Sequence, residues 1–133
     1  MTKTIQQSVK FNASPETLYE MYMDSRKHSA STGAPAKLGR KAGTSFTAFG
    51  GMLEGRTLTL VPGEMVVQAW RSGVWRKTDA DSILILTFRK DGSAGRVDLA
   101  HVNVPEHDHQ GVTKGWEKYY WKSWRAYLRT AGK

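Results

Sequence analysis

The sequence predicts an α+β fold: a curved antiparallel β-sheet of about six strands, two short helices after the first strand, and a long C-terminal helix packed across the sheet. Three observations carry this reading. Residues 115–128 crowd six aromatic side chains into one amphipathic stretch, whose apolar stripe must be buried against something large. Much of the chain before it alternates apolar and polar residues or runs rich in β-branched ones, as strands do. The links between most of these runs are short turns or loops, which join neighbours as hairpins and make the sheet mainly antiparallel.

Taken in order, Ile5, Val9 and Phe11 alternate with Thr4, Ser8 and Lys10, giving a first strand with one buried face. Ser14-Pro15-Glu16 supplies a capping hydroxyl, a proline for the first helical position and a carboxylate for the helix dipole. A helix begins there, with Leu18, Met21 and Tyr22 on one face, and Asp24-Ser25 caps a second running toward His28 and Ser29. Thr32-Gly33-Ala34-Pro35 ends it. Residues 44–49 and 53–61 read as strands separated by Gly50-Gly51, and Pro62-Gly63 forms the centre of a type II turn into a strand over 64–70. Residues 71–81 are loop. Ser82 to Arg89 has few polar positions on either face and reads as a central strand covered on both sides. Asp91-Gly92 turns the chain into a last strand over 96–104, which Pro105 breaks. The long helix runs from about Gly111 to Ala131, with Gly132 as its C-cap. Its predicted apolar stripe is Val112, Trp116, Tyr119, Tyr120, Trp124, Tyr127 and Ala131, opposite a cationic face of Lys114, Lys118, Lys122, Arg125 and Arg129.

A chain of 133 residues fits a single domain, residues 1–133. Cysteine is absent, which removes disulfides, thiolate metal sites and cysteine nucleophiles. The N-terminus has no apolar signal core and no run approaches the roughly 20 apolar residues that span a bilayer, so a soluble, cytoplasmic protein without membrane insertion is expected. The formal charge of +8 favours acidic partners, yet the basic residues are dispersed rather than blocked and read as a solvated surface.

Thr32-Gly33-Ala34-Pro35-Ala36, Phe46 with Gly50-Gly51 and Gly55, Leu60-Val61-Pro62, residues 66–71, Trp75, Val104-Pro105 and Gly115-Trp116 with residues 119–121 follow one another in a telling order. Together they resemble the C-terminal-type domain of the activator of the ninety-kilodalton heat-shock chaperone ATPase, in the START and birch-pollen-allergen superfamily. The resemblance covers nearly the whole chain. It implies a helix-grip fold and, in the wider superfamily, a cavity beneath the long helix that holds sterols, lipids, hormones or polyketides. In the eukaryotic co-chaperone a separate N-terminal domain contributes much of the chaperone contact.

Phe46, Trp70, Leu86, Phe88, His101, Trp116, Tyr120 and Trp124 are the expected pocket lining, sheet residues facing helix residues. A filled core would use the same rings, and the sequence leaves both open. His101 shares a strand face with Val97 and Leu99 and reads as a hydrogen-bonded structural histidine rather than a base, because no second catalytic group is tied to it. A triad of Ser82, Asp98 and His101 is conceivable but unsupported. Glu106-His107-Asp108-His109 lacks the helical pair spacing of a zincin, and Asp108 reads as a helix cap. Trp75 and Trp121 are the candidates for an exposed rim. No cofactor, metal or catalytic residue is assigned, and the reading leans against an enzyme. The expected function is binding of a hydrophobic or amphipathic small molecule between sheet and helix. The alternative is a co-chaperone-like partner of the heat-shock chaperone, with nucleic acid disfavoured for want of exposed stacking rings among the cations.

Overall fold

A computed structural model describes residues 1–131, with side chains placed through residue 130. Strand β1 (Thr2–Phe11) leads to helices α1 (Pro15–Met23) and α2 (Ser25–Thr32). Ser14 Oγ accepts the Thr17 N–H at 3.1 Å and Pro15 opens α1, while Asp24 Oδ1 accepts the Lys27 N–H at 3.0 Å and starts α2. Then come β2 (Lys37–Leu38), β3 (Ser45–Ala48), a 3₁₀ turn (Phe49–Gly51), β4 (Leu53–Val61) and β5 (Met65–Ser72). Gly63 takes φ +77° and the Glu64 N–H bonds the Val61 carbonyl, the closure expected of a type II turn. Strands β6 (Ser82–Asp91) and β7 (Ala94–Pro105) follow, then a 3₁₀ turn (Glu106–Asp108).

The C-terminal helix is one rod in three pieces: α3 (His109–Gly115), a π segment (Trp116–Trp121) and α4 (Lys122–Ala131). Among the described residues no helix is long and apolar enough to cross a membrane. The expected C-cap Gly132 and the side chain of Ala131 lie outside the described residues.

All seven strands form one antiparallel sheet in the order β1-β7-β6-β5-β4-β3-β2. The strand beyond the expected six is β2, two residues long and too short to carry a period-two pattern. Register breaks at Lys3/Ile5, in the edge strand β1, and at Thr57/Thr59, in β4, mark where the strands bend. Gly55, between Phe46 and Trp70 in register, is where strand and ring meet most closely: a Cβ there would run into the Ala69 carbonyl and the Phe46 ring.

One face of the sheet carries Ile5, Val97, Leu99, Leu84, Leu86, Phe88 and Val66, all buried under α1, α2 and the C-terminal rod. The other face is not covered in the same way. Ile83, Ile85 and Val67 stay half-buried there, so β6 is central but has one sealed face. Its apolar run misled because short strands rich in β-branched residues look alike whether one face or both are packed.

Two aromatic assignments are reversed. Tyr119 is 50% exposed and Trp121 is 1% exposed. The π segment has a wider turn than an α-helix, so residues after Trp116 fall behind the ideal wheel. That lag swings Trp121 onto the buried side beside Tyr120 and Trp124, and swings Tyr119 off it. Trp75 is also buried, against the Trp70 ring at 5.5 Å between centroids.

Candidate functional site

A recess of about 410 Å³ opens between the Phe49–Gly51 turn, the adjoining parts of β4 and β5, and the first half of the C-terminal rod. Phe49 forms one wall. It sits at φ +52°, a costly conformation for a residue with a side chain, and its ring packs edge-on to Tyr119 and Tyr120 at 5.8 and 5.5 Å. Two glycines, Gly111 and Gly115, line the opposite side, where their missing side chains leave room. A Cβ on Gly111 would strike the Asp108 carboxylate. Gly115 is helical at φ −63°, and a Cβ there would make ordinary contact with Tyr119 Cδ2 at 3.7 Å. Gly115→Ala is therefore expected to stabilise the fold by about 0.5–1 kcal/mol through helix propensity, raising the urea midpoint without changing its slope.

Trp70, Trp116 and Tyr120 line the recess. The other expected lining residues, Phe46, Leu86, Phe88, His101 and Trp124, are buried in the packed core and do not border it. The rim is made by Met52, Val74 and Tyr119, which sequence patterning had no means to find, since Met52 and Val74 sit in irregular segments. The one available signal was the Gly111/Gly115 pair, two side-chain-free positions four residues apart on a helix face.

Polar groups in the recess are few. Ser72 and Asp108 border it. Asp108 does not cap α3; its carboxylate accepts the Trp75 indole N–H at 2.7 Å and ties the 71–81 loop to the rod. The Trp70 indole N–H is buried without any acceptor, an uncompensated donor that costs about 1–3 kcal/mol.

Behind the recess, hydrogen bonds fix the tautomer of His101. The Trp116 indole N–H donates to His101 Nδ1 at 3.1 Å, and the Ser82 hydroxyl donates to the Trp70 carbonyl at 2.8 Å. Ser82 Oγ must then accept from His101 Nε2–H, 2.7 Å away. Both ring nitrogens are spent, and burial pushes the imidazole down to about 3. Asp98 lies on the other sheet face with Ser8 and Arg96, so the three residues of the imagined triad do not meet. His28 forms a second sealed contact: its Nδ1–H donates to the Tyr22 carbonyl at 2.7 Å and its Nε2 accepts from the Tyr120 hydroxyl at 3.0 Å. Burial pushes His28 down to about 4 and raises Tyr120. Tyr22 O–H donates to Gln68 Oε1 at 2.7 Å, and Gln68 Nε2–H to Thr57 Oγ1 at 3.2 Å, linking α1 to the sheet. His107 of the 3₁₀ turn is paired with Asp79 at 2.8 Å.

Residues 12–129 match the profile of a family described as Activator of Hsp90 ATPase homolog 1-like protein. The chain is 29% identical over 118 residues to an activator of 90 kDa heat shock protein ATPase homolog of Dictyostelium discoideum, covering 88% of this chain and 30% of that protein. It is 28% identical over 112 residues to the human activator of 90 kDa heat shock protein ATPase homolog 1, covering 84% and 33%. The chain thus spans about a third of the length of these curated relatives. In structure it superposes on an Hsp90 activator from Plasmodium falciparum with a TM-score of 0.84 at 19% identity, over 95% of this chain and 96% of that one.

Proposed function

We propose that this domain binds the ninety-kilodalton heat-shock chaperone and modulates its ATP turnover, on the premise that the chain belongs to the Activator of Hsp90 ATPase homolog 1-like family. The observation that carries the reading is the extent of the match: residues 12–129 take in α1 through most of α4, so the similarity reaches both the sheet and the rod. A net charge of +8 adds long-range attraction for an acidic partner. The test is direct. Binding to the purified chaperone, measured by calorimetry, is expected together with altered ATP turnover, both weakening as salt rises from about 0.05 to about 0.5 M. Absence of binding and of any change in turnover would remove the reading.

The recess favours a second reading, in which the domain holds a small hydrophobic molecule. A concave, mainly apolar site of about 410 Å³ is of ligand size, and the Trp70 side chain is part of its wall. Trp70, Trp116 and Tyr120 are the proposed contacts, through the faces and edges of their rings. A ligand at about a hundred times its Kd would stabilise the fold by about 2.7 kcal/mol. Thermal shift across a panel of aromatic and lipid-like compounds reads this out, and Gly115→Phe, which fills the recess, should abolish the shift. A panel without effect on the wild-type protein, with native mass spectrometry showing no retained molecule, would sink it.

A further inference from the structure

The C-terminal rod concentrates several cationic residues on one element. Lys114, Lys118, Lys122, Arg125 and Arg129 are all exposed. Lys114, Lys118 and Lys122 follow at four-residue intervals, close to one turn in both the α and the π pieces, so they form a row on the rod, while the Arg125 guanidinium lies 5.3 Å over the Phe11 ring of β1. Elsewhere several acidic residues sit beside cations, as Glu20 with Arg40 at 2.7 Å, Asp81 with Arg71 at 2.6 Å and Asp98 with Arg96 at 3.0 Å, while Lys37, Lys41 and Lys90, on separate elements and turns, have no ion pair among the described residues. On the rod, Glu117 reaches Arg125 at 3.8 Å, and among the described residues Lys114, Lys118, Lys122 and Arg129 have no ion pair.

The row also abuts an apolar patch. Lys118 Nζ lies 5.3 Å over the Tyr119 ring, and Tyr119 shares the rim of the recess with Met52 and Val74, which are 51% and 65% exposed. An aromatic and a methionine around an apolar hollow, with charge at one side, is the anatomy of a protein interface: a buried anchor supplies affinity and a charged margin supplies orientation. A polynucleotide needs a different surface, a basic groove with several stacking rings. Here the cations follow a convex rod beside one exposed ring.

We propose that the outer side of the C-terminal rod and the adjoining rim of the recess form one docking surface for an acidic segment of a partner protein that carries a bulky apolar anchor. The anchor enters between Tyr119, Met52 and Val74, and carboxylates of the same segment run along Lys114, Lys118 and Lys122. The inference rests on the co-chaperone reading only in taking a protein as the partner.

The full chain is tested with a fluorescein-labelled glutamate-rich peptide containing one tryptophan, and with the same peptide bearing alanine instead. The triple variant Lys114→Glu, Lys118→Glu, Lys122→Glu should weaken binding of the tryptophan peptide at least about tenfold, because the close pairs are lost and repulsion replaces them. The control Lys37→Glu, Lys41→Glu, Lys90→Glu changes net charge equally on other exposed positions and should alter binding less than about twofold. Val74→Asp and the alanine peptide should each weaken binding as well. Circular dichroism melting confirms that the variants fold. No peptide binding by the wild type, equal losses in the two triple variants, or indifference to the tryptophan overturns the proposal. So does tighter binding of oligo-thymidine or of phosphatidylserine vesicles through the same lysines. The purified chaperone separates the two readings. Peptide binding without chaperone binding or altered turnover removes the co-chaperone reading and leaves the surface standing. Chaperone binding unchanged in the Lys114/Lys118/Lys122 variant removes the surface and leaves that reading.

Discussion

Trp121→Ala is expected to cost about 3–5 kcal/mol of folding stability, whereas Tyr119→Ala should cost less than about 1 kcal/mol. The wheel of an uninterrupted α-helix demands the opposite ranking, because it puts Tyr119 on the apolar stripe and Trp121 beside it. In the structure Trp121 is surrounded by rings: it stacks on Trp116 at 5.5 Å with 20° between planes, meets Trp124 edge-on at 5.4 Å, and lies 5.9 Å from Phe11. Its indole N–H donates to Gln7 Oε1 at 2.7 Å, and Gln7 Nε2–H in turn reaches the Thr113 carbonyl at 3.2 Å, tying β1 to the rod. Truncation would open a cavity and strand Gln7. Tyr119 has half its surface in water, and its hydroxyl makes no hydrogen bond among the described residues. For a domain whose whole stability lies in the range of about 5–15 kcal/mol, the Trp121 variant should be partly unfolded at 37 °C. Urea titration of both variants decides it. Equal destabilisation, or a larger loss at Tyr119, would show that the turn over residues 116–121 is not wide.

The contrast marks where the sequence was readable. Signals that act on the nearest residues came through: Ser14-Pro15 opens α1, Asp24 caps α2, and Pro62-Gly63 closes the β4–β5 hairpin. The alternation in β7 put Val97, Leu99 and His101 on one buried face. What failed depended on geometry that accumulates along the chain or on space that side chains leave empty. A single wide turn re-phases every later residue, and neither composition nor spacing announces it. Trp75 lies in a loop of polar residues and glycine, yet its N–H finds Asp108 and the ring folds inward. The recess was least legible of all. It is made by Phe49 in a left-handed conformation and by glycines contributing no atoms, and a pattern of side chains has nothing to say about either.

Acidification from pH 7.5 to pH 5 is expected to remove about 4 kcal/mol of stability, through His28 and His101 acting together. Each ring is buried in its neutral form with both nitrogens hydrogen-bonded, so a second proton would have to displace an existing bond. His28 uses its one N–H on the Tyr22 carbonyl and accepts from Tyr120; His101 uses its one N–H on Ser82 and accepts from Trp116. Protonation of His101 would set its Nδ1–H against the Trp116 N–H at 3.1 Å, and protonation of His28 would force the Tyr120 hydroxyl, 3.0 Å away, to turn its own hydrogen elsewhere in the buried interior. The folded-state values, about 4 and about 3, lie below the ordinary 6.5 of an unfolded chain. The contribution is therefore complete above pH 6.5 and is lost as pH falls toward those values, because the unfolded chain takes up protons that the folded one refuses. Asp24, Asp79 and Asp98, held below the usual carboxylate range chiefly by hydrogen bonds that favour the charged form, add their losses only at lower pH. Between pH 6 and 5 the free energy of unfolding should fall by about 2.4 kcal/mol, and by about 1.2 in either His28→Gln or His101→Gln. The variants separate this effect from general acid sensitivity, since each removes one titrating ring and leaves the carboxylates alone. A wild-type slope near zero would mean that both imidazoles can take a proton inside the fold, and the donor–acceptor order assigned to Trp116, His101, Ser82 and Trp70 would have to be reversed or opened to water.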